Sequence, residues 1–184
     1  MMTRMGFWSV LGYVALAALG LPAIGRAFDF GVTIPASACS PVNEVGAELV
    51  FLQSGAWAFT SAASATGTVT FNCPVPRNVW PLTFDGGQVS ISGFRVYYRD
   101  TDAAGSAAQL RAALRGRRSN GSQLNTGPLW QSAPADTGFR AEFVSNPHVV
   151  QGDTLYYFEV QMTRSSSSQR PIFIGIDFVP VVGP

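Results

Sequence analysis

Apolar and polar residues alternate along most of this chain, and the alternation predicts strands. The clearest run is Gly152 to Arg164. After the turn pair Gly152-Asp153, Tyr156, Phe158, Val160 and Met162 fall on one side, while Tyr157, Glu159, Gln161 and Thr163 fall on the other. A period of two marks a strand with one face on a core and one near water. Beyond the serine run Ser165 to Ser168, the stretch Pro171 to Pro180 predicts a second strand, with Ile172, Ile174, Ile176 and Phe178 on one face. The two read as the closing strands of an all-β sandwich.

Earlier in the chain, residues 28–47 predict an extended lead-in, because Pro35 and Pro41 oppose a helix there. Strands are then expected at Glu48 to Gln53, at Ala56 to Thr60 with Trp57 and Phe59 on one face, and at Gly67 to Cys73 with Val69, Phe71 and Cys73 inward. Asp85-Gly86-Gly87 is a turn signal. In Gln88 to Arg99, Val89 and Ile91 share one parity, while Phe94, Val96 and Tyr98 share the other. A one-residue bulge at Ser92-Gly93 accounts for the shift. Ala107 to Arg118 contains good helix formers, yet Ala108, Leu110, Ala112 and Leu114 also alternate, and the β surroundings favour a strand. Asn120-Gly121 turns the chain, and Leu129 to Ser132 is a short extended piece around Trp130. In Phe139 to Val144, Phe139, Ala141 and Phe143 oppose Arg140 and Glu142, and Asn146-Pro147 ends the run. About nine or ten short strands separated by turn signals predict an antiparallel β-sandwich of jelly-roll type. There is no internal repeat.

The first 27 residues read differently. Arg4 precedes an apolar stretch, Phe7 to Leu21, and small residues Gly25 and Ala27 frame a cleavage site before Phe28. That is the layout of a signal peptide, and the stretch is shorter than the roughly 20 residues a membrane span requires. The expected division is a signal peptide over residues 1–27 and one β-sandwich domain over residues 28–184, with no membrane span after cleavage. Losing Arg4 and Arg26 takes 12 basic residues to 10 against 11 acids, a net charge near −1. Nothing in that balance favours nucleic acid as a partner. All the basic residues are Arg, which reads as the codon bias of a GC-rich genome and a bacterial source. The expected location is the periplasm, the cell surface or the exterior.

Export puts Cys39 and Cys73, the two cysteines of the chain, in an oxidising compartment. A disulfide between them is the expectation. Lipidation of Cys39 after Ala36-Ser37-Ala38 is the alternative, and it would leave Cys73 unpaired.

Candidate chemistry is sparse. His148 is the one histidine and so the one candidate base for a Ser-His-Asp hydrolase, but no GxSxG pattern surrounds a serine. Glu142 and Glu159 could pair as glycosidase carboxylates if their strands were neighbours. Asp100-Thr101-Asp102 with Gly105 supplies part of a calcium ligand set and reads better as a polar turn. Arg111, Arg115, Arg117 and Arg118 could hold an anion, and they read better as a hairpin tip that blunts a strand edge. No metal site or cofactor is expected. The aromatics are numerous: Trp57, Trp80, Trp130, Tyr97 and Tyr157 are candidate ligand-binding residues. Tyr97 and Tyr157 lie on the polar parity of the two longest strands, which suggests one shared exposed face for sugar stacking. The expected function is therefore a secreted, non-enzymatic binding or structural module, its partner a glycan or a cell-surface protein. A carbohydrate-binding module using exposed aromatics is one alternative, and a small secreted hydrolase is a second.

Overall fold

A computed structural model describes residues 32–62, 64–76, 90–102, 107–132 and 136–181. The expected signal peptide, Trp80, the Asp85-Gly86-Gly87 turn and Gly105 lie outside the described residues. Two antiparallel sheets pack face to face. The first has the order β10 (Asp136–Val149), β6 (Ser90–Asp100), β12 (Ile172–Val181), β4 (Ala56–Phe59), β3 (Val50–Gln53), with β1 (Val32–Pro35) also on β12. The second has the order β2 (Ser40–Pro41), β5 (Gly67–Pro74), β11 (Thr154–Arg164), β7 (Ala108–Arg118), β8 (Gln123–Asn125), with β9 (Trp130–Gln131) also on β7. From β4 onward the long strands alternate between the sheets, which is how a jelly roll closes two Greek keys around one core.

The best-patterned stretch became the centre of the second sheet. β11 pairs with β5 on one side and β7 on the other, and Tyr156, Phe158, Val160 and Met162 are all buried. Phe158 meets Phe94 and Phe178 of the first sheet at ring distances of 4.9 and 6.0 Å, edge-on contacts that add to the burial of each ring. Ala108–Arg118 is a strand, as its alternation implied. Cys39 and Cys73 are joined by a disulfide, their Cα atoms 4.1 Å apart. Lipidation of Cys39 is thereby overturned.

Several expectations need correction. Residues 44–49 form a one-turn helix, α1 (Glu44–Leu49), whose Asn43 side chain accepts a hydrogen bond from the Gly46 amide at 2.7 Å. The strand expected from Glu48 starts at Val50 instead. β1, β2 and β8 were not anticipated, and they bring the total to twelve strands among the described residues. In β12, Ile172 and Ile174 lie outward, while Phe173, Ile176 and Phe178 are buried. A bulge between Phe173 and Gly175 swaps the parity, and Gly175 adopts φ +159° there, with the Ile34 carbonyl 2.7 Å from where a Cβ would stand. β10 runs through Asn146-Pro147 rather than ending there. Among the described residues it pairs with β6 alone, and Pro147 falls in the register shift between Ser145 and His148, so its missing amide costs no bond of that ladder. Its inward side chains include Val144 and Asn146, and Phe139, Ala141 and Phe143 are exposed.

Candidate functional site

The outer face of the first sheet gathers residues that strand parity turns away from the core. β6 contributes Arg95, Tyr97 and Arg99, and β10 sets Phe143, Ala141 and Phe139 directly opposite them. The cross-strand row through Arg99 spans the sheet: Phe139, Arg99, Ile172, Ala58 and Phe51 are successive partners. Phe139 is 66% exposed and Phe143 48%. The Arg99 guanidinium lies over the Phe139 ring, 6.0 Å from its centroid, a cation–π arrangement that holds the ring in place. One row away, the Tyr97 hydroxyl donates to Asp177 Oδ2, and Thr33 donates to Asp177 Oδ1 at 2.7 Å. Asp177 therefore fixes the tilt of Tyr97 from the next strand. The result is a flat face of aromatic rings interleaved with arginines and one carboxylate.

At one end of this row the face sinks into a cavity of about 520 Å³. Its floor is Phe51, Ala58 and Ile172, and its walls come from Thr60-Ser61 and from the loop that carries Ser167 and Arg170. Arg164, the last residue of β11, reaches in from the second sheet. It is 2% exposed and donates to the carbonyls of Ser166, Thr60 and Ser167 at 3.1, 2.7 and 2.7 Å. Its guanidinium stacks on Phe59 at 5.7 Å. The serine loop is thus clamped to β4 across the open end of the sandwich.

Of the aromatics singled out from sequence, Tyr97 belongs to this face. Tyr157 does not. It lies on the outer side of the second sheet, opposite Arg115, and its hydroxyl accepts from Gln123 at 3.4 Å. β6 and β11 are in different sheets, so the shared Tyr97–Tyr157 face does not form. Trp57 is half-buried, its Nε1 donating to the Ala36 and Cys39 carbonyls at 2.8 and 3.3 Å. Trp130 is 8% exposed and packs edge-on against Tyr98 at 5.1 Å. Phe139 and Phe143 were missed as site residues because alternation alone does not say which parity of an edge strand faces the core.

Glu142 accepts from the Tyr98 hydroxyl at 3.1 Å, and burial together with that bond pushes Tyr98 well above the ordinary tyrosine range. Glu159, in the other sheet, approaches Arg115 at 3.9 Å, so the two glutamates are not a pair. His148 Nε2 lies 2.9 Å from the Tyr156 hydroxyl, and burial lowers its pKa. Asp102 caps the amides of Ala107 and Ala108 at 2.6 and 2.8 Å. Asp100 accepts from Ser132 at 2.6 Å, and burial raises its pKa. No group of three metal-ligating side chains occurs among the described residues. β7 is flanked on both sides, so its arginines do not blunt an edge; Arg111, Arg115 and Arg117 line the outer face of the second sheet instead. No described helix is long and apolar enough to cross a membrane.

No protein-family model matches this chain, and no curated protein resembles it in sequence. Among solved structures it is similar to the insecticidal delta-endotoxin Cry8Ea1 from Bacillus thuringiensis, with a TM-score of 0.43 and 15% identity over 82% of this chain and 24% of that one. A Cry1Da tryptic core variant from the same organism gives a TM-score of 0.40 and 14% identity, over 83% of this chain and 24% of that one. A family two carbohydrate esterase from Cellvibrio japonicus gives 0.37 and 9%, over 83% of this chain and 36% of that one. The chain spans about a quarter of the two toxins and about a third of the esterase.

Proposed function

We propose that this protein is an exported, non-enzymatic binding module whose outer first-sheet face takes a glycan. The observation that carries the reading is the set of outward rings, Phe139, Phe143 and Tyr97, standing beside Arg95, Arg99 and Asp177 on adjacent strands. Sugar rings present apolar C–H faces and polar edges, and a sheet face of aromatics interleaved with hydrogen-bonding groups is complementary to both. A binding role also accounts for exposed phenylalanines on an edge strand, where a solvated sheet face ordinarily carries polar residues. The Cys39–Cys73 disulfide and the leader-like residues 1–27 support an oxidising location, in the periplasm or beyond it.

The test is a glycan array probed with the purified protein and with the Phe139→Ala, Phe143→Ala variant. Both rings are exposed, so the fold should survive. Signals present in the parent and absent in the variant support the reading; identical signals from the two proteins sink it.

A further inference from the structure

We infer that the cavity at the end of this face is an anion subsite, and that the ligand is an acidic saccharide bearing carboxylate or sulfate groups, an inference that rests on the glycan reading of the same face. Three arginines line the cavity from three separate elements: Arg99 from β6, Arg164 from β11, and Arg170 from the segment before β12. Among the described residues, no carboxylate lines it and no ion pair joins any of the three to a carboxylate. Arg164 is buried with neutral carbonyls as acceptors, so its charge is hydrogen-bonded but not neutralised. A buried charge normally has a counter-charge. Here the counter-charge is what a ligand would bring.

Arg99 supplies a second, separate sign. Its Nε is buried and has no hydrogen-bond partner, although buried donors are rarely left unpaired. Thr60, Ser61, Ser167 and Gln53 add neutral polar residues to the same lining. The apolar floor and the volume suit an organic ring rather than a bare ion, since cavities for organic ligands run roughly 300–1,000 Å³. Arg99 also links cavity and face. It walls the one and flanks Phe139 on the other, so a sugar on Phe139 has its neighbour in the chain within reach of the arginines. Planar guanidinium forks match the geometry of carboxylate and sulfate oxygens.

The experiment is calorimetric titration of the purified protein with three oligosaccharides of one backbone type: a neutral galactan, a galacturonan and a sulfated galactan. Binding of at least one acidic oligosaccharide is expected, about tenfold or more tighter than the neutral one, the weight of a hydrogen bond to a charged group. That binding should weaken with salt. Arg170→Ala, at an exposed position, and Arg99→Gln should each weaken it, while Arg117→Ala, an equal loss of charge on the second sheet, should leave it unchanged. Neutral galactan bound as tightly as the acidic forms overturns the subsite, as does Arg117→Ala weakening binding as much as Arg170→Ala, equal affinity for single-stranded DNA, or no binding of either acidic form. Neutral binding lost in Phe139→Ala would preserve the glycan face while removing the subsite. Acidic binding that needs Arg170 but not Phe139 would do the reverse.

Discussion

The Val144 carbonyl sits so close over Gly93 that a Cβ on residue 93 would stand 2.1 Å from its oxygen and 2.7 Å from the Phe143 ring. β6 and β10 touch backbone to backbone at this point, beside the bulge that reverses the parity of β6. Gly93→Ala must therefore push the two strands apart or break their ladder. Overpacking of this kind costs about 1–3 kcal/mol and more where backbone blocks it, so the upper end of that range is expected. Urea melts of Gly93→Ala and of Gly152→Ala, where nothing lies within 4 Å, give the comparison. The second should stay within about 0.5 kcal/mol of the parent. Equal midpoints would show that the close approach is not a constraint.

The two bulges explain how far the sequence was legible. At Gly93 the apolar pattern itself jumps from Ile91 to Phe94, so the irregularity is visible in the residues. At Gly175 it is not, because Ile172, Phe173, Ile174 and Ile176 make the run apolar on both parities, and only tertiary pairing decides which side is inner. The same ambiguity hid the candidate face. Phe139 and Phe143 read as core because they are apolar, yet among the described residues β10 has a single neighbour and its inner side is filled by Glu142, Val144 and Asn146. α1 left no periodic signal, since one turn with a glycine inside buries almost nothing. Arg164 closes the strand pattern as a polar terminus, and nothing local shows that it crosses to the opposite sheet.

The disulfide ties the lead-in of the first sheet to the second sheet. Cys39 follows β1, and Cys73 sits in β5 with its side chain fully buried. Closing a loop of 34 residues stabilises by about 3–4 kcal/mol in the chain-entropy treatment. Cys39→Ala, Cys73→Ala should lose a similar amount by chemical denaturation. Thiol labelling of the native, unreduced protein should find no reactive cysteine. A stoichiometric free thiol would remove the bridge from the account.

His148 makes stability depend on mild acid. Burial favours its neutral ring, whose Nε2 can accept from the Tyr156 hydroxyl 2.9 Å away. The folded-state pKa thus lies below the ordinary value of 6.5. Above that value both folded and unfolded chains hold a neutral ring, and its contribution is fully present. As the pH falls below 6.5 the unfolded chain binds a proton first, and stability declines towards the lowered folded value. The slope contributed by one histidine cannot exceed about 1.4 kcal/mol per pH unit. Urea midpoints measured through this window should decline in the parent and decline less in His148→Gln. Parallel profiles would mean that His148 does not sense the fold.

Tyr97 and Tyr157 offer the sharpest test of how the faces are divided. Each is half-buried on the outer side of its sheet, and the sheets stand roughly 10 Å apart as packed layers, so the two rings point in opposite directions with the core between them. Substitutions that far apart and sharing no partner add to within about 0.3–0.5 kcal/mol. The stability cost of Tyr97→Ala, Tyr157→Ala should therefore equal the sum of the single costs. Their effects on ligand binding should differ. Tyr97→Ala removes a ring from the candidate face and leaves Asp177 with Thr33 as its hydroxyl donor, whereas Tyr157→Ala alters only the polar face around Arg115 and Gln123. Denaturant melts of the two singles and the double, together with glycan titration of each, give both readouts. A coupling well above 0.5 kcal/mol would place the rings in one cluster. A loss of binding in Tyr157→Ala equal to that in Tyr97→Ala would move the site to the second sheet.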